Sequence, residues 1–335
     1  MNNVVIIAEA GVNHNGRLDL ALKLVDAAAE AGADYVKFQT FKSNKLTVKE
    51  APKAEYQKQT TDSAETQQDM LKRLELTDEM HRTIKNHCDK KGIKFLSTPF
   101  DTDSLEYLVE LGVDCIKLSS GDITNYELLR AVGKTGKDVI LSTGMSTMED
   151  VEDAFKVLKR FGTQRIILLH CNTQYPTPFS DVNLRAMLSL KEKFGCDVGY
   201  SDHTLGTEVP VAAVAMGASV IEKHFTLDKT MDGPDHKASL EPGELKSMVS
   251  QIRNIEMALG TGDKTPSDSE KGNMKVARKS IVAKCDISEG ECFTEENITA
   301  KRPGSGISPM KWDNLIGKSA KKSYKEDDII DISEL

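Results

Sequence analysis

The fold is decided at Val198-Gly199-Tyr200-Ser201-Asp202-His203-Thr204 and Ser219-Val220-Ile221-Glu222-Lys223-His224-Phe225, two short apolar runs that turn polar at their C-terminal ends. Each run predicts a buried β-strand. Neighbouring parallel strands end at one edge of a sheet, so we expect the two imidazoles to share a pocket. Imidazole is the commonest protein ligand for a divalent transition metal. The pair therefore predicts a metal site at the top of a β/α barrel.

Eight strand-like runs alternate with amphipathic stretches along most of the chain. This alternation is typical of an α/β protein with a parallel sheet covered by helices. A count of eight favours closure into a (β/α)8 TIM barrel over an open doubly wound sheet. The predicted strands are 4–10, 35–41, 94–99, 115–120, 138–144, 165–172, 197–204 and 219–227. The predicted helices are 18–31, 78–91, 104–111, 125–135, 147–161, 182–194, 207–216 and 244–259.

The chain divides by composition into a barrel at 1–260, a linker at 261–274 and a small C-terminal domain at 275–335. The linker is rich in Gly, Ser, Thr, Asp and Pro. Within the small domain, the runs 280–283 and 329–332 are β-like. The polar segment 42–76 follows the second strand and is too long for an ordinary βα loop. It predicts a lid or an oligomer contact, or else a solvated loop.

Composition excludes several classes of protein. The 335 residues carry a net charge of −8 and no long basic run, which argues against nucleic acid as a partner. Apolar runs stay well below 18 residues and the N-terminus enters a strand directly, so we expect neither membrane spanning nor secretion. The six cysteines form no CxxC pair, which is typical of reduced, buried thiols in a cytoplasmic protein.

Charged and hydroxyl side chains occupy the predicted strand ends. Glu9 lies within an apolar strand and needs a cation, either a metal or a lysine. Lys37 and Lys117 are each embedded in apolar strands, and Ser, Thr and Gly follow neighbouring strands. Lysines, hydroxyls and glycine turns predict a site for a phosphate, or for a phosphate plus a carboxylate. The alternative is that each lysine pairs with a buried carboxylate for structural reasons.

The two imidazoles are too few to close a tetrahedral metal site by themselves. By strand alternation Glu222 shares a face with His224, while Lys223 points to the other face. Water, Glu9 or a substrate oxygen would complete the coordination, a mixture that suits Mn²⁺ or Mg²⁺. The alternative is a pair of structural histidines. His170 we interpret as a core histidine, and Tyr175 as a pocket residue.

Taken together, these motifs resemble the bacterial sialic acid (nonulosonic acid) synthase family, which includes neuraminate-forming and diacetyllegionaminate-forming members. The resemblance covers nearly the whole chain in order, and the C-terminal piece with Lys301-Arg302-Pro303-Gly304 resembles that family's antifreeze-like (SAF) domain. The barrel motifs that carry it are 7–16, 36–40, 96–100, 140–145, 169–171, 175–178, 199–204 and 222–226.

The resemblance implies a phosphoenolpyruvate-dependent transferase of carbohydrate biosynthesis. Such an enzyme condenses phosphoenolpyruvate with N-acetylmannosamine, or with 2,4-diacetamido-2,4,6-trideoxymannose, and releases a nine-carbon nonulosonic acid and phosphate. A divalent metal on His203 and His224, with Mn²⁺ favoured over Mg²⁺ or Co²⁺, would polarise the sugar aldehyde. Glu9 would position or deprotonate the attacking water, and Glu222 completes the catalytic set.

The resemblance also implies ligand contacts. The positions that match phosphoenolpyruvate contacts are Lys37, Thr98, Lys117, Ser120, Ser142 and Thr173. The positions that match sugar contacts are Gln39, Tyr175, Asp235 and Arg302. Arg302 would reach the N-acetyl group from the partner subunit's SAF domain. This implies a domain-swapped homodimer in which the SAF domain of one subunit covers the active site of the other.

The sequence departs from the neuraminate-forming members after strand six. There Asn172-Thr173-Gln174 replaces Thr-Asn-Ile, so Thr173 stands at the position of the phosphate-contacting Asn. This form, together with the stretch at 233–237, also resembles the legionaminic acid synthases.

Two other functions compete with this reading. One is another phosphoenolpyruvate-dependent aldol-type synthase that acts on a phosphorylated sugar, which would need further basic residues. The other is a non-catalytic sugar- or ice-binding protein, which would lack the metal and lysine groups.

Overall fold

The computed structural model describes residues 3–53 and 65–335. By its internal contacts the chain divides into two compact units, Met1–Gly260 and Thr261–Leu335. The segment predicted as a linker, 261–274, contains most of a helix at Asp268–Ala277. A Ser267–Glu270 capping box starts this helix, because each residue satisfies a backbone N–H of the other.

The first unit is a (β/α)8 barrel. Its parallel strands follow the order β3-β2-β1-β8-β7-β6-β5-β4, and β3 and β4 at the two ends of this order lie against each other, which closes the sheet. The strands are β1 Val5–Gly11, β2 Tyr35–Thr40, β3 Lys94–Pro99, β4 Cys115–Leu118, β5 Asp138–Ser142, β6 Ile166–Cys171, β7 Val198–Asp202 and β8 Val220–His224. The predicted fold class is confirmed.

Helices surround this sheet. They are α1 Leu18–Ala31, α2 Ser43–Leu46, α3 Gln67–Leu74, α4 Asp78–Lys91, α5 Thr102–Leu111, α6 Tyr126–Lys134, α7 Met148–Phe161, α8 Arg185–Phe194, α9 Glu208–Ala215 and α10 Pro242–Leu259. Gly32 ends α1 in the left-handed conformation at φ 82°, which glycine adopts without steric strain. Among the described residues, no helix combines the length and apolar character that crossing a membrane requires.

Two apolar layers explain which side chains reach the site. Residues on one strand face, such as Ile6, Val36 and Ile221, pack against the helices. Residues on the other face, such as Ile7 and Val220, fill the barrel interior. Because side chains alternate along a strand, the residue two positions after an interior side chain also points inward. The apolar floor of the barrel therefore carries polar side chains at its C-terminal end.

The second unit contains α11 Asp268–Ala277, β9 Ser280–Ala283, β10 Ile298–Lys301 and α12 Trp312–Leu315. Strands β9 and β10 are antiparallel and pack over a small core that includes Phe293, Leu315 and Tyr324. The β-like run predicted at 329–332 is largely wrong. Ile329 forms an isolated bridge with Val282, and a 3-10 helix covers Ile332–Glu334.

Two further predictions need comment. All six cysteines are free, but Cys285 and Cys292 are exposed, so the prediction of burial is wrong for these two.

The long segment 42–76 contains α2 and α3, which sequence reasoning missed, and its residues 54–64 lie outside the described residues. The signal for α3 is the capping box Thr66–Asp69, followed by Met70 and Leu74 at helical spacing.

Candidate active site

The barrel floor carries four buried charged side chains in a chain of close contacts. Lys37 Nζ lies 2.9 Å from Glu9 Oε1 and 3.7 Å from Glu222 Oε1. Lys117 Nζ also lies 3.7 Å from Glu222 Oε1, so one carboxylate oxygen faces both lysines. Glu9, Lys37 and Glu222 come from the adjacent strands β1, β2 and β8. The cation that the sequence required beside Glu9 is therefore Lys37.

The two carboxyl groups respond differently to burial. Burial raises the pKa of Glu9 to about 7, although the neighbouring Lys37 opposes this shift. Burial also acts to raise the pKa of Glu222, but the attraction of Lys117 and Lys37 outweighs it and holds that pKa below its ordinary value. Two carboxyls with different pKa values in one pocket suit different roles, one as a proton acceptor and one as a fixed charge.

Hydroxyl groups line the β3 to β6 side of this floor. Lys37 Nζ donates to Thr98 Oγ1 at 3.2 Å, and Lys117 Nζ donates to Ser142 Oγ at 2.7 Å. A Cβ on Gly144 would lie 2.7 Å from Thr173 and 2.8 Å from Ser120, so only glycine fits there. Two ammonium groups among hydroxyls and a close backbone turn are groups that bind an oxyanion.

The imidazoles of His203 and His224 lie side by side, with their ring centroids 5.2 Å apart. Burial lowers the pKa of His203 to about 4 and that of His224 well below its ordinary value, so both rings are neutral near pH 7. Tyr175 packs on both, with centroid distances of 4.1 Å to His203 and 5.5 Å to His224.

The ring nitrogens fit a divalent metal. His203 Nδ1 hydrogen-bonds the carbonyl oxygen of Asn172, and since a carbonyl only accepts, Nδ1 carries the proton and Nε2 keeps its lone pair. His224 Nδ1 and one oxygen each of Glu9 and Glu222 are buried and find no hydrogen-bond partner among the described residues. Within residues 3–53 and 65–335, no cluster of three or more His, Cys, Asp or Glu side chains is arranged around a metal position. The donor set therefore suits a cation that keeps oxygen ligands from substrate or water.

All the predicted barrel site residues line one cavity of about 460 Å³ at the C-terminal ends of the strands. This volume falls in the range of about 300–1,000 Å³ that small-molecule sites occupy. These residues are Glu9, Lys37, Gln39, Thr98, Lys117, Ser120, Ser142, Thr173, Tyr175, His203, Glu222, His224 and Asp235. Their individual roles remain predictions. Arg302 belongs to the second unit, where it is exposed.

The structure shows what His170, the stretch after β6 and the two buried lysines contact. His170 Nε2 hydrogen-bonds the carbonyl oxygen of Val182 at 2.8 Å, as a core histidine would. In the stretch after β6, Asn172 Oδ1 accepts from the backbone N–H of Gln174, while Thr173 lines the cavity. Both lysines contact buried carboxylates, as the structural alternative required, and the same side chains also line the cavity.

Sequence reasoning missed an apolar part of the cavity lining. Helix α3 contributes Gln67, Met70, Leu71 and Leu74 to the cavity, next to Val12 and Phe100. Asp235 also lines the cavity, and burial raises its pKa to about 6. The cavity thus combines a charged floor, a hydroxyl-rich side and an apolar side.

Comparisons with known proteins bear on this site. The model of the NeuB family matches residues 24–264, and that of the SAF domain matches residues 278–335. An N,N'-diacetyllegionaminic acid synthase of Campylobacter jejuni is 54% identical over 98% of this chain and 99% of its own length. One of the same name from Legionella pneumophila is 47% identical over 93% of this chain and 89% of its own length. A crystal structure of an N-acetylneuraminic acid (sialic acid) synthetase from Leptospira borgpetersenii, in complex with citrate, superposes with a TM-score of 0.72 at 39% identity. That match covers 82% of this chain and 90% of the other.

Proposed function

Since this chain belongs to the NeuB family, we propose that it condenses phosphoenolpyruvate with an N-acetylated mannosamine-type sugar to give a nine-carbon nonulosonic acid and phosphate. The observation that carries this proposal is the pairing of two buried lysines around Glu222 beside two neutral imidazoles in one cavity. The lysines supply the counter-charge that a dianionic enol ester needs. The neutral imidazoles could hold a divalent cation, which would polarise the aldehyde.

Phosphoenolpyruvate binds on the hydroxyl-rich side in this proposal. Lys37 and Lys117 supply its counter-charges, and Thr98, Ser120, Ser142 and Thr173 supply hydrogen bonds. Glu222 holds the two ammonium groups in place, because its Oε1 faces both at 3.7 Å. Both lysines line the cavity, and a direct contact with an ammonium group favours an anionic ligand over a neutral one.

The condensation forms one carbon–carbon bond and breaks one carbon–oxygen bond. C3 of phosphoenolpyruvate bonds to the aldehyde carbon of the open-chain sugar, whose oxygen becomes a hydroxyl. Water adds at C2, and the C2–O bond breaks, so that phosphate leaves with the bridging oxygen and a 2-keto acid remains. Glu9 accepts a proton from this water, a role that a carboxyl of pKa about 7 can perform at neutral pH.

A divalent cation, with Mn²⁺ the first candidate, would bind His203 and His224 and polarise the aldehyde as a Lewis acid. The chain's own contribution is orientation. The Asn172 carbonyl sets the tautomer of His203, and the Tyr175 ring packs against both imidazoles. Asp235 and Gln39 line the cavity as hydrogen-bonding groups for the hydroxyls of the sugar.

The sugar we propose is 2,4-diacetamido-2,4,6-trideoxymannose. Relatives named N,N'-diacetyllegionaminic acid synthase match nearly the whole chain at 54% and 47% identity, which supports this sugar over N-acetylmannosamine. We also propose a homodimer in which Arg302 of the partner subunit reaches the N-acetyl group. The match of residues 278–335 to the SAF domain and the exposure of Arg302 are compatible with that role.

A synthase for a phosphorylated sugar is the competing function. It would need cationic groups for a second phosphate beyond those that hold phosphoenolpyruvate. Among the described residues that line the cavity, the ammonium groups are those of Lys37 and Lys117. The geometry therefore favours a sugar without a phosphate.

Phosphate release measured with each sugar tests the proposal. Purified protein with Mn²⁺ and phosphoenolpyruvate is expected to release phosphate with the diacetamido sugar and to form a product whose mass equals that of the nine-carbon acid. With ¹⁸O in the bridging position, the label is expected in phosphate. Glu9→Gln is expected to reduce kcat by about 10²–10⁴-fold. Turnover only with arabinose 5-phosphate or erythrose 4-phosphate would overturn the proposal.

A further inference from the structure

One side of the cavity is apolar, and it is built by a helix that lies outside the repeating β/α pattern. Helix α3 turns Met70, Leu71 and Leu74 toward the cavity, where Val12 and Phe100 extend the same surface. These side chains belong to a small hydrophobic cluster that also contains Phe41. The cavity is also lined by hydroxyl groups and by Lys37 and Lys117, so a ligand that fills it contacts both polar groups and hydrocarbon.

Helix α3 has a capped N-terminal end and a close contact with the barrel at its C-terminal end. Thr66 accepts from Asp69 N at 3.2 Å, and the Asp69 carboxylate accepts in return from Thr66 N, which starts the helix. At its C-terminal end the helix lies directly against Gly16, where a Cβ would come within 2.1 Å of the Arg73 carbonyl oxygen. Met70 is almost completely buried. The apolar surface is therefore an ordered part of the cavity lining.

Leu71 differs from its neighbours on the helix. Met70 and Leu74 are buried in the cluster, whereas Leu71 is only partly buried and lines the cavity. A ligand group that covers Leu71 would remove apolar surface from water, which is favourable for a methyl group. The same contact would force a hydroxyl to give up its hydrogen bonds to water.

We propose that α3 selects the deoxygenated end of the sugar, with the C6 methyl group packed on Leu71. The inference rests on the proposed function, because it assigns the orientation of the acceptor sugar in that site. Phosphoenolpyruvate occupies the hydroxyl-rich side, which leaves the apolar side for the part of the sugar farthest from the reacting aldehyde. A 6-deoxy sugar is thereby preferred over its 6-hydroxy counterpart, by roughly 10–100-fold in kcat/KM.

Two sugars that differ at one atom isolate this effect. N-acetylmannosamine and its 6-deoxy analogue share every group except the C6 hydroxyl, so the ratio of their kcat/KM values measures the C6 contact alone. Leu71→Gln places an amide beside that carbon and is expected to lower the 6-deoxy preference at least about tenfold. Leu71→Ala, which removes apolar contact without adding a polar group, is expected to lower the preference less.

The control is Leu22→Gln, a matched change of a partly buried leucine on α1, which packs on the main barrel core rather than the cavity. It is expected to leave the ratio at the wild-type value, and thermal unfolding of each variant checks the fold. A wild-type protein that prefers the 6-hydroxy sugar, or a ratio unchanged in both Leu71 variants, would overturn the inference. Failure to release phosphate with any N-acetylated sugar would instead overturn the proposed function.

Discussion

Lys223 and Asp202 form a salt bridge in which neither side chain is exposed to solvent, and Lys223 Nζ lies 2.5 Å from Asp202 Oδ2. The two residues are register partners on β8 and β7, and each directly precedes one of the imidazoles. Lys223 also donates to the carbonyl oxygen of Thr204, while Asp202 accepts from Thr204 N and Oγ1. The pair thus ties together the two strand ends that present His203 and His224.

Removal of this lysine tests that role. Lys223→Met leaves a buried carboxylate without its cation, so the free energy of unfolding is expected to fall by about 3–5 kcal/mol, as measured by urea denaturation. Lys223→Met combined with Asp202→Asn removes the unpaired charge and is expected to recover part of that loss. Equal stability of the single variant and the wild type would contradict the structural role of the pair.

Metal dependence follows from the imidazole pair. His203→Ala and His224→Ala are each expected to abolish Mn²⁺-stimulated turnover and to weaken Mn²⁺ binding at least about tenfold in calorimetry, since each removes one of two protein ligands. Circular dichroism is expected to show an intact fold. The control is His87→Gln, a partly exposed histidine paired with Asp26. Full activity after treatment with a chelator would refute the metal role.

The proposed crossing of subunits concerns Arg302. Arg302→Ala is expected to raise the KM for the sugar about tenfold or more and to leave the KM for phosphoenolpyruvate unchanged, because a guanidinium hydrogen bond to the N-acetyl group is lost. Arg160→Ala, at another exposed arginine on α7, is the matched control. An unchanged KM for the sugar would rule out this contact. Analytical ultracentrifugation checks that the protein is a dimer.

Acid sensitivity of the fold follows from His14. Burial lowers the pKa of His14 to about 3, below the ordinary value of 6.5. Between these pH values the unfolded chain binds a proton at this histidine that the folded chain does not. The contribution of His14 to the free energy of unfolding is therefore fully present above pH 6.5 and decreases as the pH falls toward 3. His14→Asn is expected to reduce the slope of unfolding free energy against pH by about 1 kcal/mol per pH unit in this window. Urea denaturation at pH 4.5 and at pH 6 measures this slope. A slope equal to that of the wild type would show that His14 does not contribute to the acid sensitivity.

Much of the barrel could be predicted from the sequence because its elements are local. Helices α1 and α4 begin and end where the apolar period and the following glycine place them. The period of two along β8 puts Glu222 and His224 on one face and Lys223 on the other, as the structure has them. Helix α3 was missed because it is short and lies within a polar segment. Its apolar residues pack against Val12 and Phe41, which are distant in the sequence.

By itself the sequence determined the β/α alternation, the closure at eight strands and the chemical types at each strand end, because these depend on the spacing of residues along the chain. The tertiary structure alone decided that Glu222 lies between Lys37 and Lys117, that His203 is held by a backbone carbonyl, and that the cavity has an apolar side. The physical reason is that these contacts join residues far apart in the chain. These side chains come close together, and lose their contact with water, only when the strands close into a barrel.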